Sequence, residues 1–123
     1  MTARPPTRVA KPWGYEIVWA HTDRYAGKIL HIEASQQLSF QYHQRKVETI
    51  YLLSGLLELE VGMADEPRRS LRLHPGEPFH IPAGLRHRMT AIETCEVLEV
   101  STPELDDVVR LEDRYGRAGT SGA

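Results

Sequence analysis

Residues 39–55 read Ser39-Phe40-Gln41-Tyr42-His43-Gln44-Arg45-Lys46-Val47-Glu48-Thr49-Ile50-Tyr51-Leu52-Leu53-Ser54-Gly55. Gln41 and His43 are two apart, so on a strand both side chains leave the same face. Glu48 heads an apolar run and reaches the same point from a neighbouring strand. A second stretch, Gly76-Glu77-Pro78-Phe79-His80-Ile81-Pro82-Ala83-Gly84-Leu85-Arg86-His87, is a strand closed by a Pro-x-Gly turn that throws His87 back towards the interior. Gln41, His43, Glu48 and His87 thus stand as four ligand-type groups around one point.

Length and composition bound the rest. A chain of 123 residues reads as one domain, able to bury roughly two-thirds of its unfolded surface. The net charge of −2 and pI near 6.3 give no global field for nucleic acid. The single cysteine, Cys95, has no partner for an intramolecular disulfide, and no basic segment followed by an apolar one opens the sequence. Both point to a reducing cytoplasm. No apolar run approaches the roughly 20 residues of a membrane span, so a soluble protein is expected.

Along the chain, residues 1–10 hold two adjacent prolines and no periodic pattern, which predicts a flexible arm. The domain proper is expected over 11–117 and a frayed tail over 118–123. Strands are predicted at 15–20, 26–34 and 38–43, then at 48–54 with a tight reversal at Gly55 into 56–61, and further at 70–73, 78–81, 86–92 and 96–101. If Leu30 and Ile32 line the interior, Lys28 points inward with them. Short strands spaced by Gly and Pro turns indicate an all-β barrel or sandwich. Residues 103–113 are expected to form a short helix or an extended arm.

The two motifs resemble those of the cupin superfamily. The first superfamily motif is HxH, three or four residues, Glu, six residues, Gly; Gln41 takes the first His position, His43 the second, and Glu48 and Gly55 follow. The second is met by Gly76, Pro82, Gly84 and His87. The resemblance implies a single-domain double-stranded β-helix, or jelly-roll barrel.

Two imidazoles, one carboxylate and one amide oxygen make a mixed N/O site with positions left for water or substrate. Such a set suits one divalent ion, zinc foremost, with Fe, Mn, Co or Ni as alternatives, and is unlike the closed thiolate sites used structurally. His21, His31 and His74 fall on turns or on the opposite face; His80 is ambiguous. Lys28 is either a strand-end amine or a cation near the metal.

A narrower resemblance is to the C-terminal isomerase domain of type II mannose-6-phosphate isomerases. It rests on Lys11-Pro12-Trp13-Gly14, on the two motifs, and on Asp106-Asp107-Val108-Val109-Arg110-Leu111-Glu112-Asp113-Arg114-Tyr115-Gly116-Arg117. It implies a divalent metal on Gln41, His43, Glu48 and His87, and interconversion of an aldose phosphate with a ketose phosphate. Lys28 and Glu48 are then the candidates for proton transfer, and Lys28, Arg45 and Arg110 for holding the phosphate. The family continues His-His-Arg-Ala-Glu-His-Trp after the first motif histidine, whereas this chain has Gln44-Arg45-Lys46-Val47-Glu48-Thr49-Ile50. Another sugar or sugar phosphate therefore stays open as substrate.

Two further readings stay open beside the isomerase: a non-haem iron oxygenase, because His43, His87 and Glu48 also make a two-His, one-carboxylate set, and a non-catalytic sugar-binding or regulatory cupin. Phe40, Tyr42, Tyr51 and Leu53 alternate with the inward set and offer an apolar exterior, from which a homodimer is expected.

Overall fold

The computed structural model describes residues 5–119. Nine antiparallel strands form one curled sheet: β1 (Thr7–Lys11), β2 (Gly14–His21), β3 (Ala26–Ile32), β4 (Phe40–Tyr42), β5 (Glu48–Gly62), β6 (Arg69–Leu73), β7 (Pro78–Ile81), β8 (Arg86–Ser101) and β9 (Val109–Glu112). The all-β expectation holds. Among the described residues no helix is long and apolar enough to cross a membrane.

Two strands are much longer than the sequence pattern suggests. β5 and β8, of 15 and 16 residues, pair from Glu48↔Ser101 to Gly62↔Arg86 as one bent ribbon. Their near half, with Glu48 to Leu52 against Val97 to Ser101, joins β1, β2, β3 and β7 in one wall. Their far half joins β6, β4 and β9 in the other. The predicted reversal at Gly55 and the predicted break at 93–95 are instead bends within continuous strands. Gly55 has φ +94°, and a Cβ there would lie 2.2 Å from the Thr94 carbonyl oxygen. Glycine is what lets the ribbon pass from one wall to the other, with register slips between Leu52 and Leu57.

Between the walls lies an apolar core of Leu30, Ile32, Ile50, Leu52, Leu57, Leu59, Val61, Ile81, Met89 and Val97, all nearly or fully buried. Period-two alternation delivers these residues: in β5, Leu57, Leu59 and Val61 face in while Glu58 and Glu60 do not. Each large aliphatic side chain so buried contributes roughly 1.5–3 kcal/mol.

The chain ends differ from expectation in detail. β1, Thr7–Lys11, takes residues 7–10 of the expected arm into the sheet beside β2; residues 1–4 lie outside the described residues. Of the two forms expected for 103–113, a short helix or an extended arm, the helix is not seen: residues 102–108 turn, and Val109–Glu112 extends as β9 on the free edge of β4. β-branched and apolar residues at 108–111 suit an edge strand better than a helix. The tail from 120 lies outside the described residues, but the Gly119 amide donates to the Arg110 carbonyl at 2.9 Å. Of the four residues expected outside, Tyr51 and Leu53 are exposed, whereas Phe40 is 4% exposed beneath the Arg68 guanidinium, 3.6 Å from its ring centre.

Candidate metal centre

Neighbouring strands set the geometry. Gln41 on β4 is paired directly with His87 on β8, so both side chains leave the sheet on its inner face. His43 follows β4 by one residue, and Glu48 opens β5 beside Ser101. His43, Glu48 and His87 are 3%, 2% and 1% exposed, and one donor atom of each lies within 4.8 Å of the others.

Hydrogen bonding fixes what those atoms offer. The Nδ1–H of His43 donates to the Asp107 carbonyl at 2.6 Å, and that of His87 to the Leu85 carbonyl at 2.9 Å. A carbonyl only accepts, so Nδ1 carries the hydrogen in both rings and Nε2 is left to point inward. The two Nε2 atoms face the same oxygen, Glu48 Oε1, at 3.1 and 3.3 Å, and His87 Nε2 is buried without a hydrogen-bond partner. Lone pairs of neutral rings against a carboxylate repel one another unless a cation or proton lies among them. Backbone carbonyls behind each imidazole are the usual outer support of metal-bound histidine. The donor set therefore fits a divalent ion, and its mixed N/O character matches zinc or a first-row neighbour. Gln41 stands next to this set, its amide oxygen accepting from Ser39 Oγ at 2.6 Å.

A charged network that the sequence reading missed continues inward from Glu48. Lys46, 4% exposed, bridges Glu48 Oε2 and Glu99 Oε2 at 3.3 Å each. Burial opposes ionisation of Glu48, but the Lys46 ammonium and any proton held on the facing Nε2 atoms of His43 and His87 outweigh it and keep the carboxyl well below its usual range. Glu99 goes the other way: burial and the charge of Glu48 push it up to about 7, against the pull of Lys46. Lys28, inward as expected, reaches Glu16 at 3.3 Å, and Lys11 approaches Glu16 at 3.8 Å. Glu99 shares the strand face of Val97 and Ser101 on β8, but Lys46 precedes β5 and no strand pattern turns it inward.

Beside the centre a cavity is lined by Trp13, Leu30, Leu38 and Met89 and by the polar groups of Lys11, Glu16, Lys28, Gln41, His43, Lys46, Glu99, Arg110 and Arg117. Arg110 is in this lining because β9 pairs Arg110 with Gln41. Arg45 is not: it is exposed, lies at a separate surface hollow with Gln44 and Glu104, and its amide donates to Asp107 Oδ2 at 2.7 Å. Of the histidines outside the centre, His31 stacks on Tyr15 and meets Glu96 and Glu33, His80 pairs with the Thr49 hydroxyl, His21 ends β2 against the Pro103 carbonyl, and His74 lies in the turn between β6 and β7 beside Glu77.

The chain has relatives among known proteins. The xanthan biosynthesis protein XanB of Xanthomonas campestris pv. campestris strain B100 is 32% identical over 115 residues, covering 89% of this chain and 24% of the relative. The mannose-1-phosphate guanylyltransferase ManC of Salmonella typhimurium strain LT2 is 31% identical, with 89% and 23% covered. The chain thus spans about a quarter of the length of these relatives. Among solved structures, KdgF from Halomonas sp. superposes with TM-score 0.67 at 21% identity over 82% of this chain and 89% of that one. CapF from Staphylococcus aureus does so with TM-score 0.77 at 18% identity over 89% and 32%. These last likenesses concern the fold alone. The cupin domain profile matches residues 28–101, which run from the inward Lys28 through both ligand-bearing stretches to the end of β8, and the chain belongs to the cupin domain family.

Proposed function

We propose that the chain is a metal-dependent aldose–ketose isomerase of sugar phosphates, of mannose-6-phosphate isomerase type. The observation that carries this reading is the convergence of His43 Nε2, His87 Nε2 and Glu48 Oε1 at the side of a cavity whose lining is rich in cations. Relatives concerned with mannose phosphate and with xanthan biosynthesis lend support.

His43, Glu48 and His87 would hold the ion, with Gln41 as fourth donor. When bound, a divalent ion polarises carbonyl and hydroxyl oxygens and stabilises negative charge developing on them. The chain's own groups supply the rest. Isomerisation removes a proton from C2 and returns one to C1, or the reverse, so a group that accepts and gives back a proton must face the cavity. Lys28 and Glu99 are opposite one another in register across β3 and β8 and both line it. Glu48, enclosed by two imidazoles and Lys46, is assigned to the ion rather than to the proton. Leu30, Leu38, Trp13 and Met89 exclude water from the reacting carbons.

The test is a coupled assay of mannose 6-phosphate isomerisation on protein of measured metal content. Turnover is expected in the wild type, with a loss of at least about a hundredfold in His87→Ala and His43→Ala. A metal-loaded wild type that turns over no hexose phosphate would contradict the reading. The same two-His, one-carboxylate set also favours a non-haem iron oxygenase as a second reading; substrate-dependent oxygen uptake by the iron-loaded chain, without isomerisation, would select it.

A further inference from the structure

The cavity carries a second cluster beyond the metal centre. Lys11, Lys28, Lys46, Arg110 and Arg117 line it against the carboxylates of Glu16 and Glu99. Lys46 is engaged by Glu48 and Glu99, and Lys28 by Glu16. Lys11 Nζ lies 3.8 Å from Glu16 Oε1, an oxygen it shares with Lys28. Arg117 is tied by Nε and a terminal nitrogen to Asp113, at 2.9 and 3.1 Å, which fixes its guanidinium at the rim of the cavity. Position along the sheet is equally specific. His87, Gln41 and Arg110 form one cross-strand row over β8, β4 and β9, so the Arg110 backbone lies two strand spacings, about 10 Å, from that of His87 with Gln41 between.

We infer that Lys11, Arg110 and Arg117 form an anion subsite that takes the phosphate ester of a sugar whose other end meets the metal centre. The inference rests on the isomerase reading for the sugar, though not for the anion. Lys11, Arg110 and Arg117 stand together in this cavity, and Lys11 is held below its ordinary value by burial and by Lys28, Arg110 and Arg117, with Glu16 opposing. Guanidinium groups match phosphate oxygens in pairs, and a partly buried setting strengthens each bond. This assignment moves the phosphate away from Arg45, which lies outside the cavity.

Inorganic phosphate is titrated calorimetrically into the full chain and into Lys11→Met, Arg110→Met, Arg110→Lys and, as a surface control, Arg69→Met. Binding with a Kd of roughly millimolar order is expected in the wild type and in Arg69→Met, weakened about tenfold or more in Lys11→Met and Arg110→Met, and partly kept in Arg110→Lys. Equal phosphate affinity in wild type, Lys11→Met and Arg110→Met, each folded by circular dichroism and of equal metal content, would overturn the subsite. So would absence of phosphate binding to the wild type. If Arg110→Met does not fold, Lys11→Met and Arg110→Lys carry the comparison. A hexuronate that binds more tightly than a hexose 6-phosphate overturns the assignment to phosphate. The two ideas separate cleanly: phosphate binding without hexose phosphate turnover removes the isomerase and keeps the subsite, whereas turnover with KM unchanged in the variants does the reverse.

Discussion

Asp107 braces the candidate metal centre from outside it. Its carbonyl takes the His43 Nδ1–H, while its carboxylate accepts the successive amides of Gln44, Arg45 and Lys46 at 3.1, 2.7 and 2.9 Å. Burial works against its charge, but those amides outweigh it and hold its acidity below the usual carboxylate range. The loop so pinned carries His43 at one end and Lys46 and Glu48 at the other. Asp107→Ala is therefore expected to weaken metal affinity by about tenfold, the usual scale for outer-shell support, as measured by competition with a chromophoric chelator. Unchanged affinity would show that the loop holds itself. Cys95 illustrates the opposite case: fully buried, its thiol is pushed up to about 11 chiefly by burial. It should resist a disulfide reagent at pH 8 while the protein is folded and react once it unfolds; fast reaction of the folded chain would refute this burial.

His31 gives a pH dependence with a definite sign. Its hydrogen bond to Glu96, opposed by burial and aided by Glu33, raises its value above 6.5 in the folded state. The stabilisation is fully present below about 6.5 and fades as pH rises through the folded value. Glu96→Gln should lower the His31 value seen by NMR and flatten the fall in Tm over that window; an unchanged titration would refute the pairing. At this scale the meeting of His43, Glu48 and His87 was readable from their spacing, and Gln41 stands beside them. Lys46 and Glu99 were not readable, since a lysine beside Arg45 reads as a solvated pair and only the fold shows that it turns inward.

At the scale of elements, the β5–β8 ribbon joins the two walls, and its bend depends on Gly55 and the facing Thr94 carbonyl. Gly55→Ala must place a Cβ where an oxygen already stands, at a backbone conformation side chains rarely adopt, and should cost on the order of 1–3 kcal/mol or more in urea unfolding. A cost below about 0.5 kcal/mol would mean the bend lies elsewhere. The sequence announces a glycine there but not its use: a turn glycine and a bulge glycine look alike until the strands on both sides are seen to share one partner. β9 was equally hard to read, because Val109–Glu112 is an edge strand of four residues whose only reason to extend is the open side of β4.

The whole molecule is a shell that brings ligand-type groups from both walls, Glu48 from one and Gln41 and His87 from the other, to a point beside a cavity lined by Leu30, Leu38 and Met89. Its all-β class and the two motifs were legible from alternation and Gly-Pro punctuation, as was the inward direction of Lys28. The long bent strands and the charged interior were legible only in three dimensions, since burial of ion pairs is decided by which strands meet. A bound ion stabilises the folded state by mass action, about 2.7 kcal/mol at a hundredfold excess over Kd. Chelation should therefore lower Tm by several degrees in the wild type and leave His87→Ala unaffected.

The most direct measurement is the metal content of the purified full chain, after equilibration with zinc, iron, manganese, cobalt or nickel, beside His43→Ala, Glu48→Ala and His87→Ala. The account predicts about one equivalent of a divalent ion in the wild type and near none in each folded variant. A wild type that retains no divalent ion, or variants that retain it undiminished, would contradict the claim that His43, Glu48 and His87 are a metal centre.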